Sequence, residues 1–253
     1  MGQNFQVGLI GNPVAHSQSP KIFQKFFDNE NLPNWDYNLF QLSHIDELPG
    51  LLNSNTNLVG FNVTVPFKQA IIPFLHSISD AAKAINAVNT VKVIRKNGDI
   101  FLEGHNTDYF GFLETTKELP SKPQKAIILG NGGSANAVKA VLNNIGVPFV
   151  SVSRNPTVNQ ISYGSLLDIT FNDPTLIVQT TPVGMSPKVD VSPIFPFQNL
   201  NKNVMAIDLI YNPEETLFLK QFNNHGCFCL NGSLMLQKQA DKAWTIFKNN
   251  EKN

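Results

Sequence analysis

The feature that most constrains this fold is a short apolar strand that runs into a glycine-rich turn and then into a helix. The segment is AIILGNGGSANAVKAVLNNIG: residues 126–129 form the strand, residues 130–133 the turn, and the helical pattern continues to Gly146. Glycine lets a backbone turn sharply and approach an anion closely, and the helix N-terminus then offers free N–H groups. Because another apolar strand follows, we predict a dinucleotide-binding unit, although glycine also favours such turns for purely structural reasons.

The end of the following strand predicts which dinucleotide binds. VPFVSVS runs into Arg154-Asn155-Pro156, and no acidic residue occurs between Gly146 and Asn159. An NAD site usually has Asp or Glu here to bind the adenine ribose hydroxyls. A guanidinium pairs instead with the 2′-phosphate of NADP, and the missing carboxylate removes a repulsion. We therefore predict NADP as the cofactor; the alternative is that Arg154 is an ordinary exposed arginine.

Strands and helices alternate along the whole chain, which predicts an α/β protein with both sheet faces covered. In the first part we expect strands at FQVGLIG, DYNLFQL and LVGFNVTV, helices at SPKIFQKFFDNE and PFKQAIIPFL, and a hairpin through KNGD. A Pro-containing link follows the segment GHNTDYFGFLETTKELP. We therefore expect an N-terminal α/β substrate-binding domain of residues 1–106, a Rossmann-type cofactor domain of residues 107–232, and a helix within residues 233–253.

Charge and cysteine content argue against several classes of partner. Lys plus Arg and Asp plus Glu both number 19, so no overall field favours nucleic acid or an anionic membrane surface. No apolar run approaches the roughly 18 residues that span a bilayer, and the N-terminus does not resemble a secretory signal. Cys227 and Cys229 are expected to be neighbouring buried thiols, since a zinc site needs more ligands. A reducing cytoplasm and no metal are the expectations.

Two serines and a lysine are candidates for substrate binding. Ser17 and Ser19 lie directly before the helix that starts near Pro20, where a carboxylate would accept from both hydroxyls. The alternative is that Ser19 simply caps the helix and Ser17 is a turn residue. Lys68 falls in the first turn of the helix after FNVTVPFK, a position unfavourable for the helix dipole. This unfavourable position favours a functional role for Lys68, although an isolated lysine is more often a solvated charge.

Amides and hydroxyls also cluster at the expected strand ends, in the segments FNVTVPFK, AINAVNT and GHNTD. A polyhydroxylated ligand needs such groups for its orientation, but they are equally common in turns. The side chains are those of Asn62, Thr64, Asn86, Asn89, Thr90, Asn106, Thr107 and Asp108.

Taken in order, eight segments of the chain resemble the shikimate dehydrogenase family. They are GNPVAHSQSP, GFNVTVPFK, AVNTV, GHNTDYFGF, ILGNGG, TPVGM, DLIYNPEET and NGSLMLQKQA. The resemblance runs from residue 11 to residue 240. It implies reversible NADPH-dependent reduction of 3-dehydroshikimate to shikimate, in chorismate and aromatic amino acid biosynthesis. It also implies that the C-terminal helix of residues 233–253 returns to the substrate-binding domain, which its apolar pattern alone leaves open.

The resemblance assigns roles to individual residues of this chain. Lys68 and Asp108 would be the catalytic pair. The implied substrate contacts are Ser17 and Ser19 to a carboxylate, and Thr64, Lys68, Asn89, Asp108, Tyr211 and Gln239 around the ring. The implied cofactor contacts are Gly130, Asn131, Gly132, Gly133, Ser134, Ser153, Arg154, Asn155, Thr181 and Gly232.

The chain departs from the family pattern in its cofactor half. Asn136 stands where many members have a second arginine near the adenine, and Gln179 replaces a more usual Asn before Thr180. A quinate/shikimate dehydrogenase that uses NAD is therefore the main alternative. A ligand-binding regulator without turnover is another, since a fold does not fix a function. Either a monomer or a homodimer is compatible with the sequence.

Overall fold

The computed structural model describes residues 4–248, which divide into two compact units. The first unit comprises the chain up to Phe110 and again from Gln237 onward, and the second is Gly111–Leu236. Both division points fall inside helices, a few residues after the domain limits expected from the sequence. Each unit has its own sheet and is described separately.

The first unit contains a six-stranded mixed sheet. Its strands are β1 (Phe5–Gly11), β2 (Trp35–Gln41), β3 (Leu58–Val63), β4 (Ser77–Ile78), β5 (Thr90–Lys96) and β6 (Asp99–His105). Its helices are α1 (Ser19–Asn29), α2 (Leu48–Ser54), α3 (Phe67–Ala70), α4 (Asp80–Ile85) and the start of α5 (Thr107–Thr116). The strand order is β2-β1-β3-β5-β6-β4, with β5 antiparallel to both neighbours. Consequently β1, β3 and β6 end, and β5 begins, at the same end of the sheet.

The second unit contains a six-stranded parallel sheet. Its strands are β7 (Lys125–Leu129), β8 (Phe149–Ser153), β9 (Gln160–Ser162), β10 (Thr175–Gln179), β11 (Val204–Asp208) and β12 (Phe228–Leu230). Its helices are α6 (Gly133–Asn144), α7 (Tyr163–Leu166), α8 (Leu217–Asn224) and the first turn of α9 (Ser233–Lys248). The order β12-β11-β10-β7-β8-β9 is that of a Rossmann sheet, in which ligands bind where the order reverses, here between β7 and β10. The predicted fold class is confirmed.

Helix α9 returns to the sheet of the first unit, as the family resemblance implied. An aromatic cluster joins it to α1 and β2 through Phe23, Phe27, Trp35, Trp244 and Phe247. The ring of Phe247 lies on Gly60, where a Cβ atom would stand only 2.3 Å from it. This approach requires glycine in β3, and it holds the last turn of α9 against the sheet.

Some local predictions needed correction. The helix expected across PFKQAIIPFL is only α3, followed by a 3₁₀ turn at Ile72–Phe74, because Pro73 has no N–H to continue an α-helix. The hairpin between β5 and β6 is confirmed, with Asn97 and Gly98 both at positive φ. The sequence pattern did not identify β4, β9, α4, α7 or α8, most of which are very short.

The remaining sequence expectations concern thiols, metals and membranes. Cys227 and Cys229 are free thiols, the first buried and the second partly buried. Among residues 4–248, no group of three or more His, Cys, Asp or Glu side chains is arranged to hold a metal ion. No helix in that same range combines the length and apolarity needed to cross a bilayer.

Candidate active site and cofactor-binding turn

The predicted acid–base residues, Lys68 and Asp108, form an ion pair at one end of the first sheet. The Lys68 Nζ lies 2.6 Å from the Asp108 Oδ2, and the two side chains are 23% and 8% exposed. Lys68 is held by α3, whose backbone oxygen at this residue accepts from the Val88 N–H at 2.8 Å. Asp108 lies in the first turn of α5, where the helix dipole favours a carboxylate. The lysine therefore has a fixed anionic partner and keeps access to solvent.

Asn89 fixes the start of the helix that carries Asp108. Its Oδ1 accepts from the Thr107 N–H at 2.7 Å, and its Nδ2 donates to the Thr107 Oγ1 at 3.1 Å. All three residues are buried. Because the Asn89 oxygen accepts both from that N–H and from the Thr90 hydroxyl, the amide presents its remaining N–H to a ligand. Asn89 is thus tied to the Lys68–Asp108 ion pair through Thr107, the residue that precedes Asp108.

A chain of polar side chains continues from Asn89 toward the serines. The Asn62 Nδ2 donates to the Thr90 Oγ1 at 3.0 Å, and the Thr90 hydroxyl donates to the Asn89 Oδ1 at 3.1 Å. The Tyr37 hydroxyl donates to the Asn62 Oδ1 at 3.0 Å and is also hydrogen-bonded to Ser19. Tyr37 was not predicted; its position within a strand gave no signal of a polar role.

Ser17 and Ser19 contact each other at the start of α1. The Ser17 Oγ accepts from the Ser19 N–H at 3.1 Å, so the Ser17 proton is left for another acceptor. The structural alternative for Ser19 was wrong: Gln18 occupies the N-cap position, and the Ser19 hydroxyl bonds Tyr37.

Thr64 follows β3 at the same end of the sheet as these serines. Its N–H donates to the Ile10 carbonyl oxygen at 2.9 Å. The absence of a side chain at Gly11 allows this approach, since a Cβ there would lie 2.3 Å from the Thr64 methyl group.

Two of the clustered amides are structural. Asn106 caps α5, because its Oδ1 accepts from the Tyr109 N–H at 3.1 Å while its Nδ2 donates to Ala87. Asn86 ends α4 in the left-handed conformation, with φ at 54°. Asn86 is therefore a turn residue, and Asn106 is a helix cap.

Two further predicted substrate contacts lie elsewhere in the chain. Gln239 is half-buried on the part of α9 that belongs to the first unit. Tyr211 belongs to the second unit and follows β11; it is half-buried, and burial raises the pKa of its phenol.

The glycine-rich turn follows β7 and leads into α6. Gly130 has a φ of 114°, and a Cβ there would meet the Thr180 and Thr181 side chains at 2.6 and 2.9 Å. At Gly132, by contrast, an added Cβ would meet nothing within 4 Å. Asn131, Gly132 and Gly133 are exposed. The turn is thus closed on its β10 side and open around the helix N-terminus, as an anion-binding turn requires.

Arg154 lies at the end of β8, beside the turn. The Gly130 N–H donates to the Val152 carbonyl oxygen at 3.0 Å, which joins the start of the turn to this strand end. Ser153 and Asn155 bond each other, with the Asn155 N–H donating to the Ser153 Oγ at 3.3 Å. Arg154 itself is exposed, and its charge lowers the pKa of Tyr163, which burial raises. The guanidinium is therefore available to a ligand.

The hydrogen bonds of Gln179 show how the chain accommodates a glutamine where the family more usually has an asparagine. Its side chain is fully buried at the end of β10, and its Oε1 accepts from the Thr181 N–H at 2.9 Å and from the Thr181 hydroxyl at 3.0 Å. Its Nε2 donates to the Val183 carbonyl oxygen at 3.1 Å. The glutamine thereby shapes the loop that carries the predicted cofactor contact Thr181.

Gly232 supports the segment before α9. Its N–H donates to the Ile210 carbonyl oxygen at 2.9 Å, and a Cβ at this position would overlap the Leu209 carbonyl group. Only glycine allows these two segments to lie so close.

Comparison with known proteins gives the chain a family. The shikimate dehydrogenase substrate binding domain family matches residues 9–91. The shikimate dehydrogenase (NADP(+)) of Desulforamulus reducens is 38% identical, over 97% of this chain and 91% of that protein.

Two solved structures also match. The shikimate 5-dehydrogenase of Thermus thermophilus, in complex with NADP(H) and shikimate, is 29% identical with a TM-score of 0.81, over 97% of this chain and 94% of that one. The Listeria monocytogenes enzyme, in complex with shikimate and NAD, is 26% identical with a TM-score of 0.82, over 98% and 93%. The chain belongs to the shikimate dehydrogenase family.

Proposed function

We propose that this protein catalyses the reversible, NADPH-dependent reduction of 3-dehydroshikimate to shikimate. The observation that carries the proposal is the Lys68–Asp108 pair, 2.6 Å apart at a sheet end lined by hydroxyls and amides. Reduction of a ketone requires a proton at the oxygen that becomes the alcohol, and a positive charge to stabilise that oxygen as it gains electron density. One ammonium group held by a carboxylate serves both needs.

NADPH, when bound, supplies the hydride that reduces the ketone carbon. Lys68 donates a proton to the ketone oxygen, and in the reverse direction the neutral amine accepts the proton of the hydroxyl. Asp108 holds the lysine Nζ in place and accepts from a ring hydroxyl. Asn89 orients the same end of the ligand with its free N–H. The balance is one ketone, one NADPH and one proton giving one alcohol and one NADP⁺.

The two serines bind the substrate carboxylate in this proposal. Ser17 has an uncommitted proton, and the Ser19 hydroxyl turns from Tyr37 to the stronger, charged acceptor. Thr64 lies on the neighbouring strand end. Gln239 and Tyr211 are proposed as further substrate contacts, in accordance with the family pattern.

The glycine-rich turn fits the pyrophosphate of a dinucleotide. The open space at Gly132 and the exposed start of α6 leave room for phosphate oxygens beside free N–H groups. Asn131, Gly133 and Ser134 border the same space. Arg154, with Ser153 and Asn155, is proposed to bind the 2′-phosphate, while Thr181 and Gly232 line the rest of the cofactor site.

The proposal assigns one role to each domain. Residues 1–106 with residues 233–253 form the proposed substrate-binding domain, and residues 107–232 form the proposed NADP-binding domain. Asp108 lies just past the first limit and belongs to the first unit of the structure. A reducing cytoplasm and a monomeric or homodimeric state accompany this assignment; sedimentation analysis of the purified protein tests the latter.

A comparison of two cofactors and two substrates tests the function. NADPH consumption is followed by absorbance with 3-dehydroshikimate, and the reverse reaction is measured for shikimate and quinate with NADP⁺ and NAD⁺. We expect shikimate with NADP⁺ to have the highest kcat/KM. Higher kcat/KM with NAD⁺ or quinate would favour the alternative, to which the Listeria complex with NAD gives some support. Absence of turnover with every pair would contradict the enzymatic proposal.

A further inference from the structure

The helix that follows the glycine-rich turn carries a cation that the family pattern did not predict. The Lys139 Nζ donates a hydrogen bond to the Asn131 Oδ1, so a side chain from the second turn of α6 bends back to the turn itself. Most lysines on a helix extend into water, where their charge is best solvated. This one is partly buried, and burial lowers the pKa of its ammonium group.

Among residues 4–248, the structure records no acidic partner for Lys139. Its recorded hydrogen bond is to a neutral amide oxygen, in contrast to Lys125, which lies 3.2 Å from the Asp173 carboxylate in the same unit. A partly desolvated ammonium paired only with an amide retains its capacity to attract an anion. Asn131, which holds the Lys139 ammonium group, lies next to Gly132, where an added Cβ would meet nothing within 4 Å.

We propose that Lys139 is a cofactor-binding residue that brings a positive charge to the pyrophosphate held by the glycine-rich turn, with Asn131 fixing its position. The inference rests on the proposed function, because it requires a dinucleotide in this turn. It identifies a second cation for the cofactor besides Arg154, on a different element and directed at a different phosphate. Asn136, one helical turn earlier, carries no charge for this purpose.

Substitution with glutamine and with arginine separates the charge of Lys139 from its hydrogen bond. Lys139→Gln keeps a donor for Asn131 but removes the charge, whereas Lys139→Arg keeps both. We expect Lys139→Gln to raise the Kd of NADP⁺, measured by titration calorimetry on the free protein, about threefold to tenfold. The KM values of NADPH and NADH should rise by similar factors, since both share the pyrophosphate. Lys139→Arg should restore most of the affinity.

Salt dependence and a matched control complete the test. The NADP⁺ affinity of Lys139→Gln should fall less steeply with added salt than that of the wild type, because one ionic contact is lost. Lys125→Gln, which removes a carboxylate-paired lysine from the same unit, should leave the Kd unchanged. An unchanged Kd in Lys139→Gln would overturn the inference, and so would a rise confined to NADPH, which would place the charge at the 2′-phosphate.

Failure of the inference and failure of the proposed function give different results. If the wild type binds NADP⁺ and reduces 3-dehydroshikimate while Lys139→Gln behaves identically, only the role of Lys139 is wrong. If the wild type does not bind NADP⁺, the proposed function fails and the inference fails with it. Thermal melting of each variant distinguishes loss of affinity from loss of folded protein.

Discussion

Lys68 is the proposed acid–base group, so its substitution should affect turnover more than substrate binding. Lys68→Met keeps most of the stem length but removes the proton and the charge, so we expect kcat to fall about 10²–10⁴-fold. The binding of shikimate should weaken far less, because the serines remain. Steady-state kinetics and calorimetry measure the two quantities. Lys83→Met, an exposed lysine of the same unit, is the control. A kcat near that of the wild type would exclude Lys68 as the acid–base group.

Arg154 is expected to set the cofactor preference. Because its guanidinium is exposed beside the turn and has no carboxylate near it in sequence, Arg154→Ala removes the proposed partner of the 2′-phosphate. We expect the ratio of kcat/KM for NADPH over NADH to fall about 10- to 100-fold, the scale of a hydrogen bond to a charged group. NADH kinetics should change little. Equal discrimination before and after the substitution would assign the selectivity to another residue.

At the residue scale, the sequence indicated candidate site residues, but it did not indicate which groups those residues would contact. Lys68 and Asp108 were recognisable from their motifs, but two residues 40 positions apart reveal neither a distance nor an ion pair until the sheet brings them together. Tyr37 and Lys139 gave no signal, because a tyrosine in a strand and a lysine on a helix are ordinary residues there. Their roles depend on which groups the ends of their side chains contact, and these contacts form only in the folded chain.

One buried carboxylate, that of Asp208, holds the loop after β11. The Asp208 side chain accepts from the Ile210 N–H at 3.0 Å and from the Thr216 hydroxyl at 2.7 Å, and so closes the segment that carries Tyr211. Burial raises the pKa of Asp208 from 3.8 to about 6, although both hydrogen bonds lower it. Because the folded carboxyl binds its proton more tightly than the unfolded one, this group's contribution to stability falls as the pH rises from about 4 to about 6.

Asp208→Asn tests this pH dependence. An amide keeps an acceptor for Ile210 and does not titrate, so the variant should gain stability relative to the wild type between pH 4 and 7. The relative gain should be on the order of 2–3 kcal/mol, from about 1.4 kcal/mol per pKa unit. Urea unfolding at several pH values measures it. Asp190→Asn, which alters an exposed carboxylate, is the matched control. A pH-independent difference for Asp208→Asn would contradict the raised pKa.

At the scale of elements, periodicity and turn residues identified most of the longer elements, but they missed the eight-residue helix α8 and several very short elements. The βαβ unit around the glycine-rich turn and the β5–β6 hairpin were predicted, because glycines, asparagines and apolar runs mark them clearly. Strand β4 has two residues and α7 has four, too few for any repeating pattern. Such elements form because neighbouring strands and loops hold them in place. These tertiary contacts leave no local pattern in the sequence.

The whole molecule combines two cores, and the sequence pattern did not determine which of them α9 joins. Its apolar face, with Ala240, Ala243 and Trp244, would suit either sheet. Only the family resemblance implied its return, and the structure gives the reason in the aromatic cluster with α1 and in the packing of Phe247 on Gly60. A chain that leaves the first unit, forms the second and then returns to the first joins the two units covalently at both crossings.

Amide hydrogen exchange with each ligand separately tests the assignment of one ligand to each domain. A ligand at about 100 times its Kd stabilises its site by roughly 2.7 kcal/mol, which slows exchange through local opening about 100-fold. Saturating NADP⁺ should therefore protect peptides that cover residues 130–134 and 153–155. Shikimate should protect those that cover residues 17–19, 64–68 and 105–108. Each ligand serves as the control for the other, since a general stabilisation would protect both sets alike. Protection of the glycine-rich turn by shikimate alone, with the serine segment unaffected, would reverse the proposed division of roles.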